Sequence, residues 1–337
     1  VCGEYISLES QEFLMQLGFD SQKHDLPQIS NFSLNHPNGK QLNLKLPLGA
    51  FGVSRYYIDD KLADIALENG VVLLQGTEVT NIQFYKDHDV FKVETKTGDL
   101  LFKHVLGSYG KRSKLDKKHN RPFVNQLKSS KNNFVGVKYH VKSQIEPNKI
   151  ELHLFEQGYA GLSRIEEGKS CFCYLTTSAQ LLKSNGDVNQ LENNFLKQNP
   201  FLKNRLETFD VLWDKPLTIS NIEFGPKEQV HNNVIMLGDA AGMITPLTGN
   251  GMSMAMHASK IASELVAKQL NGKIDRNQLE QQYTKQWQNL FGKRVARARK
   301  YQSLFFNQKL SSNVISLAKA LPFIGKQLVK STHGKRF

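Results

Sequence analysis

The stretch from residue 234 to residue 270 constrains the fold more than any other part of this chain. Val234-Ile235-Met236-Leu237 is an unbroken apolar run, the pattern of a strand buried on both faces of a parallel sheet. Gly238-Asp239 ends the run, and Pro246 and Gly249-Asn250-Gly251 follow it. A stripe of apolar or small residues at helical spacing comes next: Met252, Ala255, Met256, Ser259, Ala262 and Val266. The predicted order is therefore strand, acidic residue, glycine-rich loop and long helix.

This order puts Asp239 outside the carboxyl end of a strand, which is where open α/β sheets bind their ligands. A carboxylate there can accept hydrogen bonds from the hydroxyls of a sugar or polyol. Gly249 and Gly251 have no side chains, so a flat ring can approach their backbone closely. The free N–H groups and the positive dipole end of the helix favour negative charge on that ring. An ordinary strand-loop-helix, with glycines that only relieve strain, is the alternative interpretation, and the proline with the spaced glycines favours the binding site.

Gly238-Asp239-Ala240-Ala241-Gly242, Pro246 and Gly249-Asn250-Gly251 resemble the second FAD motif of one superfamily of flavoproteins, the geranylgeranyl reductases and aromatic hydroxylases. The resemblance implies that Asp239 binds the ribityl chain of FAD. It also implies that Gly249, Gly251 and Met252 lie at the pyrimidine edge of the isoalloxazine, which carries negative charge in a reduced flavin. The resemblance extends over nearly the whole chain, and it is more specific for the cofactor than for the substrate.

Two further segments share this resemblance. Cys2-Gly3 matches a pair that lies beside the flavin ring in the family, although a free cysteine is as often a small buried hydrophobe. Ser54-Arg55 before a helix, followed by Val79, is similar to the family's adenosine-side segment. There the arginine reaches the cofactor, and the residue at the Val79 position offers its backbone to the adenine. A solvated cap is the alternative for Arg55.

The family's first βαβ unit, with its Gly-x-Gly-x-x-Gly turn and its acidic residue for the ribose, has no counterpart in this sequence. Such a unit takes about 30 residues or more. We therefore expect that about this much is missing before residue 1, because the chain is a fragment or because its start was assigned too late.

The middle of the chain departs from the family's pattern in two places. Tyr109, in Gly107-Ser108-Tyr109-Gly110-Lys111-Arg112-Ser113, stands where the hydroxylases have an aspartate that touches flavin and reduced nicotinamide. Hydroxylase-style use of NADPH is therefore in doubt, and NAD(P)H stays open as an electron donor. Tyr159 fits the lipid reductases' Tyr-x-Trp-x-Phe-Pro motif, but Gly161, Ser163 and Arg164 replace its apolar members. An apolar wall for a prenyl chain is not expected, and Tyr109 and Tyr159 are only candidate pocket residues; no catalytic residue can be named.

The predicted fold class is α/β. An FAD-binding, Rossmann-like domain without its N-terminal unit comprises residues 1–20, 54–120 and 224–290. An antiparallel-sheet substrate domain comprises residues 21–53 and 121–223, and residues 291–337 form a basic helical segment. Cys171 and Cys173 share one face of a strand and are interpreted as core packing. The three cysteines form neither a disulfide framework nor a metal site.

The charge distribution is strongly asymmetric. The net charge is +13, from 44 basic and 31 acidic residues. No Asp or Glu follows Glu280, and the basic residues from that point on include Lys309, Lys319, Lys326 and Lys330. A basic amphipathic end suits contact with an anionic membrane surface, and a solvated face that balances the charge of FAD is the alternative. No nucleic-acid module is recognisable. The sequence has no signal peptide and no apolar run long enough to span a membrane, so we expect a cytoplasmic protein, with peripheral contact to the inner face of the membrane left open.

Together these patterns predict an FAD-dependent oxidoreductase that reduces a hydrophobic, polyketide-like or isoprenoid-like small molecule. Three alternatives stay open: a flavin-dependent monooxygenase, a non-catalytic fragment unable to hold FAD, and a basic protein that binds membranes or polyanions.

Overall fold

The structure is a computed structural model, and it describes residues 2–127 and 133–337. Its strands are β1 (Tyr5–Ser7), β2 (Gln28–Asn35), β3 (Gln41–Gly52), β4 (Val79–Tyr85), β5 (Val90–Thr95), β6 (Gly98–Phe102), β7 (Leu106–Gly107), β8 (Phe134–Lys142), β9 (Lys149–Phe155), β10 (Gly158–Arg164), β11 (Ser170–Thr177), β12 (Asp210–Val211), β13 (Leu217–Ile222), β14 (Val230–His231) and β15 (Val234–Met236). Its helices are α1 (Gln11–Leu17), α2 (Arg55–Glu68), α3 (Lys114–Lys118), α4 (Pro122–Leu127), α5 (Ser178–Lys183), α6 (Val188–Asn194), α7 (Pro200–Thr208), α8 (Gly251–Leu270), α9 (Arg276–Trp287), α10 (Lys293–Phe306), α11 (Gln308–Ala320) and α12 (Pro322–Lys330). These elements confirm the α/β fold class.

The largest sheet has nine strands in the order β1-β3-β2-β9-β10-β11-β8-β12, with β13 also paired to β8. Strands β8 to β11 confirm the antiparallel sheet predicted after residue 121. The hairpin of β2 and β3 lies near one end of this sheet. β2 pairs in parallel with β9, for example Leu34 with Leu152, and the short strand β1 pairs with the last three residues of β3.

Helices cover both faces of this sheet. On one face, Tyr159 and Leu175 pack with Ile315 of α11 and with Phe305 of α10. On the other face, Ala160 packs with residues of α6 and α7, and α5 packs beside β8 and β11. This division follows from the alternation of side chains along each strand.

The strand at residues 234–237 forms as predicted. β15 is buried and pairs in parallel with β7, with Ile235 opposite Leu106. Asp239 follows the strand, and α8 begins at Gly251. The predicted apolar stripe of α8 was largely wrong. Its buried residues are Ser253, Met254, Ala258, Ile261, Ala262 and Leu265, whereas Met252 and Met256 pack half-buried against a separate core around Phe51 and Ile58. The helix lies between two cores, so a single stripe does not describe it.

Residues 71–74, Val-Val-Leu-Leu, have the composition of a strand but form none. Their apolar side chains are exposed, Val72 by 80%, and they have no regular structure. No described strand pairs with them, so their N–H and C=O groups have no ladder partners. β4, β5 and β6 form a sheet of their own.

The C-terminal third is helical, as expected. A π-helical turn, Gln288–Gly292, joins α9 to α10. Trp287 packs against Gly242, where an added Cβ would come within 2.7 Å of the indole. Among residues 2–127 and 133–337, no helix combines the length and the apolar character needed to cross a bilayer.

Candidate functional site

The turn between β15 and α8 is held in a tight conformation. Gly249 has a φ of +65°, which favours glycine, and an added Cβ would lie 2.9 Å from the ring of Tyr5. The Asn250 side chain is fully buried and donates to the carbonyl oxygens of Thr248 at 2.8 Å and Thr332 at 2.9 Å. No side chain among the described residues caps the first N–H groups of α8. The turn therefore presents backbone, and not side chains, to its surroundings.

A large apolar cavity lies between the nine-stranded sheet and helices α10 and α12. The cavity, together with its opening to solvent, has a free volume of about 1370 Å³. Its wall includes Leu42, Leu44, Leu152, Leu175, Phe305 and Leu328. The expectation that no apolar wall exists was wrong, because it considered only residues 159–164. The neighbouring strands and the C-terminal helices supply the apolar side chains instead.

Tyr159 places one polar group in this cavity. Its side chain is 4% exposed, and its hydroxyl has no hydrogen-bond partner among the described residues. Burial raises the pKa of this phenol well above its ordinary value, so the hydroxyl stays protonated and can donate. A buried hydroxyl without a partner costs free energy, and a ligand oxygen in the cavity would satisfy it.

Asp239 lies in a second, smaller recess, whose wall also includes Gly238, Gly242, Gly251 and Trp287. Its side chain remains accessible to solvent. Desolvation by the surrounding protein raises the pKa of the Asp239 carboxyl, and the positive charges of Lys227, Arg55 and Lys111 offset part of that increase.

Lys227 lies closely beside this recess, and sequence analysis missed it. Its Nζ donates to the carbonyl oxygens of Lys111 at 2.6 Å and Asp239 at 2.8 Å and lies 4.5 Å from the ring centroid of Phe123. Burial lowers the pKa of Lys227 to about 8. The residue lies in an irregular loop, where no periodic pattern could have indicated its position.

The charges of three cations therefore act on the Asp239 carboxylate, and no ion pair within the described chain neutralises Lys111 or Lys227. Arg55 pairs with Asp59 at 2.6 Å. This surplus of positive charge suits the diphosphate of a dinucleotide. The open backbone of the Gly249 turn suits a flat ring. The residues present thus fit a flavin nucleotide.

The predicted site residues separate into groups. Cys2, Gly3 and Gly249 line the apolar cavity, whereas Asp239 and Gly251 line the recess. The cavity and the recess therefore lie on two sides of the turn that contains Gly249 and Gly251.

The other predicted residues lie further from this turn. Hydrogen bonding to Asp59 raises the pKa of the Arg55 guanidinium, and Arg55 is close enough to Asp239 that the negative charge of this carboxylate raises that pKa further. Met252 packs into a core. Val79 pairs with Thr95 at the start of β4 and lines neither the cavity nor the recess. Tyr109 donates to the Met236 sulfur at 3.0 Å and does not line the apolar cavity.

A buried ion pair supports the loop that carries Asp239. Arg121 donates to Asp116 at 2.9 Å and to the carbonyl oxygen of Ala240 at 3.1 Å. Both charged side chains are 1% exposed. Neither residue was singled out from the sequence, because an isolated arginine in a loop is usually solvated.

The fold and this site define the class: an α/β flavoprotein in which a strand-turn-helix motif borders a large apolar cavity. The model of the squalene epoxidase family matches residues 112–297, which is more than half of the chain. The chain belongs to this family.

Related proteins are consistent with this class. Digeranylgeranylglycerophospholipid reductase of Methanococcus vannielii is 29% identical over 231 residues, which cover 56% of this chain and 57% of that protein. Conditioned medium factor receptor 1 of Dictyostelium discoideum is 25% identical over 321 residues, which cover 86% of this chain and 60% of that protein. This chain spans a little less than two thirds of the length of these curated relatives.

Solved structures share the fold. A flavoprotein/dehydrogenase from Cytophaga hutchinsonii superimposes with a TM-score of 0.77 at 16% identity, covering 98% of this chain and 83% of that one. A geranylgeranyl bacteriochlorophyll reductase-like protein from Thermoplasma acidophilum has a TM-score of 0.73 at 15% identity, covering 98% and 89%. These likenesses show the fold, whereas the predicted resemblance to the geranylgeranyl reductase superfamily is supported by the reductase relative and the family match above.

Proposed function

We propose that this chain carries the flavin-binding and substrate-binding parts of an FAD-dependent oxidoreductase that reduces an unsaturated apolar small molecule. One observation carries the proposal: Gly249 lines the apolar cavity and Gly251 lines the Asp239 recess. A ring held at this turn would therefore face the cavity. FAD, when bound, supplies the two-electron chemistry.

In this proposal each residue of the turn has a binding role. Asp239 accepts hydrogen bonds from the ribityl hydroxyls, and the start of α8 attracts the negative edge of the ring. Cys2 and Gly3 border the ring from the cavity side. Met252 follows the turn, at the ring's pyrimidine edge.

The cationic side chains near Asp239 bind the diphosphate and adenosine parts of FAD in this proposal. Lys111 and Lys227 balance the diphosphate charge. Arg55 and the backbone of Val79 contact the adenosine half.

The cavity supports the apolar substrate. Its walls are predominantly apolar, so burial of a hydrocarbon chain is favourable there. Tyr159 donates to a single polar group of that substrate. One relative is a digeranylgeranylglycerophospholipid reductase, which supports a reductase activity on an unsaturated chain for this protein. The proposal does not depend on the electron donor, for which NAD(P)H is one candidate.

Titration of the 337-residue chain with FAD tests cofactor binding, with flavin fluorescence as the readout. We expect Asp239→Ala to weaken FAD binding by about tenfold or more, since a hydrogen-bonded carboxylate contributes about 1.4 kcal/mol or more. Asp214→Ala, at an exposed aspartate, is the matched control and should bind normally. A chain that binds no FAD, or an Asp239→Ala variant that binds as well as the parent, would refute the proposal, and the first result would favour the non-catalytic alternative.

Oxygen-dependent oxygenation is a second candidate function, favoured by the match to the squalene epoxidase family. Turnover of geranylgeraniol by the FAD-loaded chain under argon, with dithionite as reductant, separates the two. A reductase yields a product that has gained two hydrogen atoms per reduced double bond. A product that forms only after oxygen is admitted, and that contains an added oxygen atom, would instead establish the oxygenase.

A further inference from the structure

The segment that follows α12 contributes a histidine to the apolar cavity. Helix α12 ends at Lys330, and the turn after it places Thr332 and His333 in the cavity wall. The backbone N–H of Thr332 donates to the carbonyl oxygen of Val329 at 3.1 Å, which fixes this turn. The imidazole ring of His333 is half-buried, so it is held in place beside the cavity.

The hydrogen bonds of the His333 ring decide which of its nitrogens carries the proton. Nδ1 lies 2.9 Å from the carbonyl oxygen of Val329 and 3.3 Å from the hydroxyl of Thr332. A carbonyl oxygen can only accept, and the Thr332 hydroxyl already donates its hydrogen to the same carbonyl at 2.8 Å. Both neighbours therefore require a proton on Nδ1. Because burial lowers the pKa of His333, the ring is neutral at pH 7 and Nε2 carries a lone pair.

Nε2 of His333 is free to bind a ligand. The ring makes its hydrogen bonds within the described part of the chain through Nδ1. Nε2 is not among the polar atoms that the protein encloses without a partner, so it remains accessible, and the residue lines the cavity. In this tautomer Nε2 can only accept a hydrogen bond. The cavity therefore offers an acceptor to a donor group of a bound molecule.

The cavity offers no charge to a head group. Among the described residues that line it, none is Asp, Glu, Lys or Arg. Arg294 donates to the carbonyl oxygen of Thr332 at 2.6 Å, but it also pairs with Glu9 at 2.6 Å, and the two side chains are 7% and 1% exposed. An anionic head group would lose its hydration in the cavity without gaining a counter-ion, and it would face the lone pair of Nε2.

We infer that His333 binds the substrate by accepting a hydrogen bond at Nε2 from a substrate hydroxyl, so that the substrate is an apolar molecule with a neutral alcohol group. The inference rests on the proposed function, which assigns the cavity to the substrate, and it narrows the class of that substrate. The contact is additional to the one proposed for Tyr159. A pure hydrocarbon would leave Nε2 without a partner, and an ether oxygen has no hydrogen to donate.

Isothermal titration calorimetry of the full chain with three probes tests the inference. Decan-1-ol carries the hydroxyl, its isomer 1-methoxynonane keeps the oxygen without a hydroxyl hydrogen, and decanoate carries a negative charge. We expect decan-1-ol to bind about fivefold more tightly than either of the others, since one neutral hydrogen bond contributes about 1 kcal/mol. Equal or tighter binding of the ether or of decanoate, or no binding of the alcohol, would overturn the inference.

Substitutions at position 333 assign the preference to Nε2. In His333→Asn, the shorter amide can still donate to the Val329 carbonyl but does not reach the position of Nε2. This variant should bind decan-1-ol about fivefold more weakly and 1-methoxynonane as well as the parent does. His333→Gln, whose longer side chain carries an acceptor towards the cavity, should recover part of the loss. His88→Asn, at an exposed histidine outside the cavity wall, is the matched control and should bind all three probes like the parent.

The comparison of alcohol and ether distinguishes recognition from packing. Equal losses for the two probes in His333→Asn would mean that the ring only fills the wall, and would overturn the inference. His333 does not line the Asp239 recess, so His333→Asn should bind FAD like the parent. A parent chain that prefers the alcohol but binds no FAD would refute the proposed function alone, whereas a chain that binds FAD without preferring the alcohol would refute this inference alone.

Discussion

The Glu4 carboxylate accepts a hydrogen bond from the Nε2 atom of His140 over 2.6 Å in the protein interior. Its other oxygen pairs with the ammonium group of Lys138 and accepts from the backbone N–H of Arg55 at 2.9 Å. Glu4 is fully buried and Lys138 is 3% exposed. One side chain thus ties the segment that carries Cys2 and Gly3 to β8 and to the start of α2.

Glu4→Gln should therefore destabilise the protein strongly. The substitution leaves the Lys138 charge buried without a counter-ion, and loss of one partner of a buried pair costs about 3–5 kcal/mol. Denaturant unfolding of parent and variant measures this cost. Asp64→Asn, which breaks an exposed pair with Lys61, is the control and should change the free energy of unfolding by less than about 1 kcal/mol. Similar costs for the two variants would contradict the buried role of Glu4.

The Glu4 carboxylate also makes the free energy of unfolding depend on pH. Burial alone would raise the pKa of Glu4, but His140 and Lys138 outweigh it and hold the pKa below its usual value. In the unfolded chain the carboxyl has its ordinary pKa, so as the pH falls the unfolded state takes up the proton first. The parent should therefore lose more unfolding free energy between pH 7 and about pH 3.5 than Glu4→Gln does. Parallel losses would show that Glu4 does not titrate in this way.

Tyr159→Phe should leave the fold as stable as the parent or more stable, by about 1 kcal/mol, because it removes a buried hydroxyl that has no partner. Tyr283→Phe is the matched control, since that buried hydroxyl donates to the carbonyl oxygen of Met236 at 2.6 Å. The control should lose about 1 kcal/mol. Thermal unfolding compares them, and equal destabilisation by both variants would mean that the Tyr159 hydroxyl is already satisfied inside the protein.

The sequence predicted those parts of the fold in which one pattern decides the outcome. The apolar run at residues 234–237 became a buried parallel strand, and the glycine-rich loop after it leads into the long helix α8. These signals are local, because they depend on an apolar run and on the placement of glycine.

Long-range contacts were not predictable in this way. The apolar cavity is lined by residues of β2, β3, β9, β11 and the C-terminal helices. No single segment of the sequence indicates that this cavity exists. Residues 71–74 have the composition of a strand, yet they are exposed because no described strand pairs with them. Lys227 approaches Asp239 only through the path of a loop. Such features depend on which elements meet in space, which a single sequence does not encode locally.

Gly249→Ala should reduce both stability and FAD binding. The backbone at Gly249 has a φ of +65°, and the added methyl group would collide with Tyr5. Gly272→Ala is the matched control, because Gly272 has a φ of +68° and open space around it. The control should lose about 1 kcal/mol from backbone strain alone, and Gly249→Ala should lose at least about 1 kcal/mol more from overpacking. Denaturant unfolding and FAD titration measure the two effects. Equal costs with unchanged FAD affinity would show that the turn is not closely packed and does not border the flavin.

FAD affinity should fall as the pH rises through the pKa of Lys227, which burial lowers to about 8. Below this pH the protonated ammonium attracts the diphosphate, and above it the neutral amine does not. Binding of the anion therefore requires protonation of Lys227, so the dissociation constant should rise about tenfold between pH 7 and about pH 9, the equivalent of about 1.4 kcal/mol for a charge-assisted hydrogen bond. Lys227→Met should bind FAD weakly at both pH values and show little pH dependence. Lys273→Met, at an exposed lysine, should keep the parent's pH profile. A Lys227→Met variant with the same pH profile as the parent would show that another group governs the pH dependence and that Lys227 does not contact the cofactor.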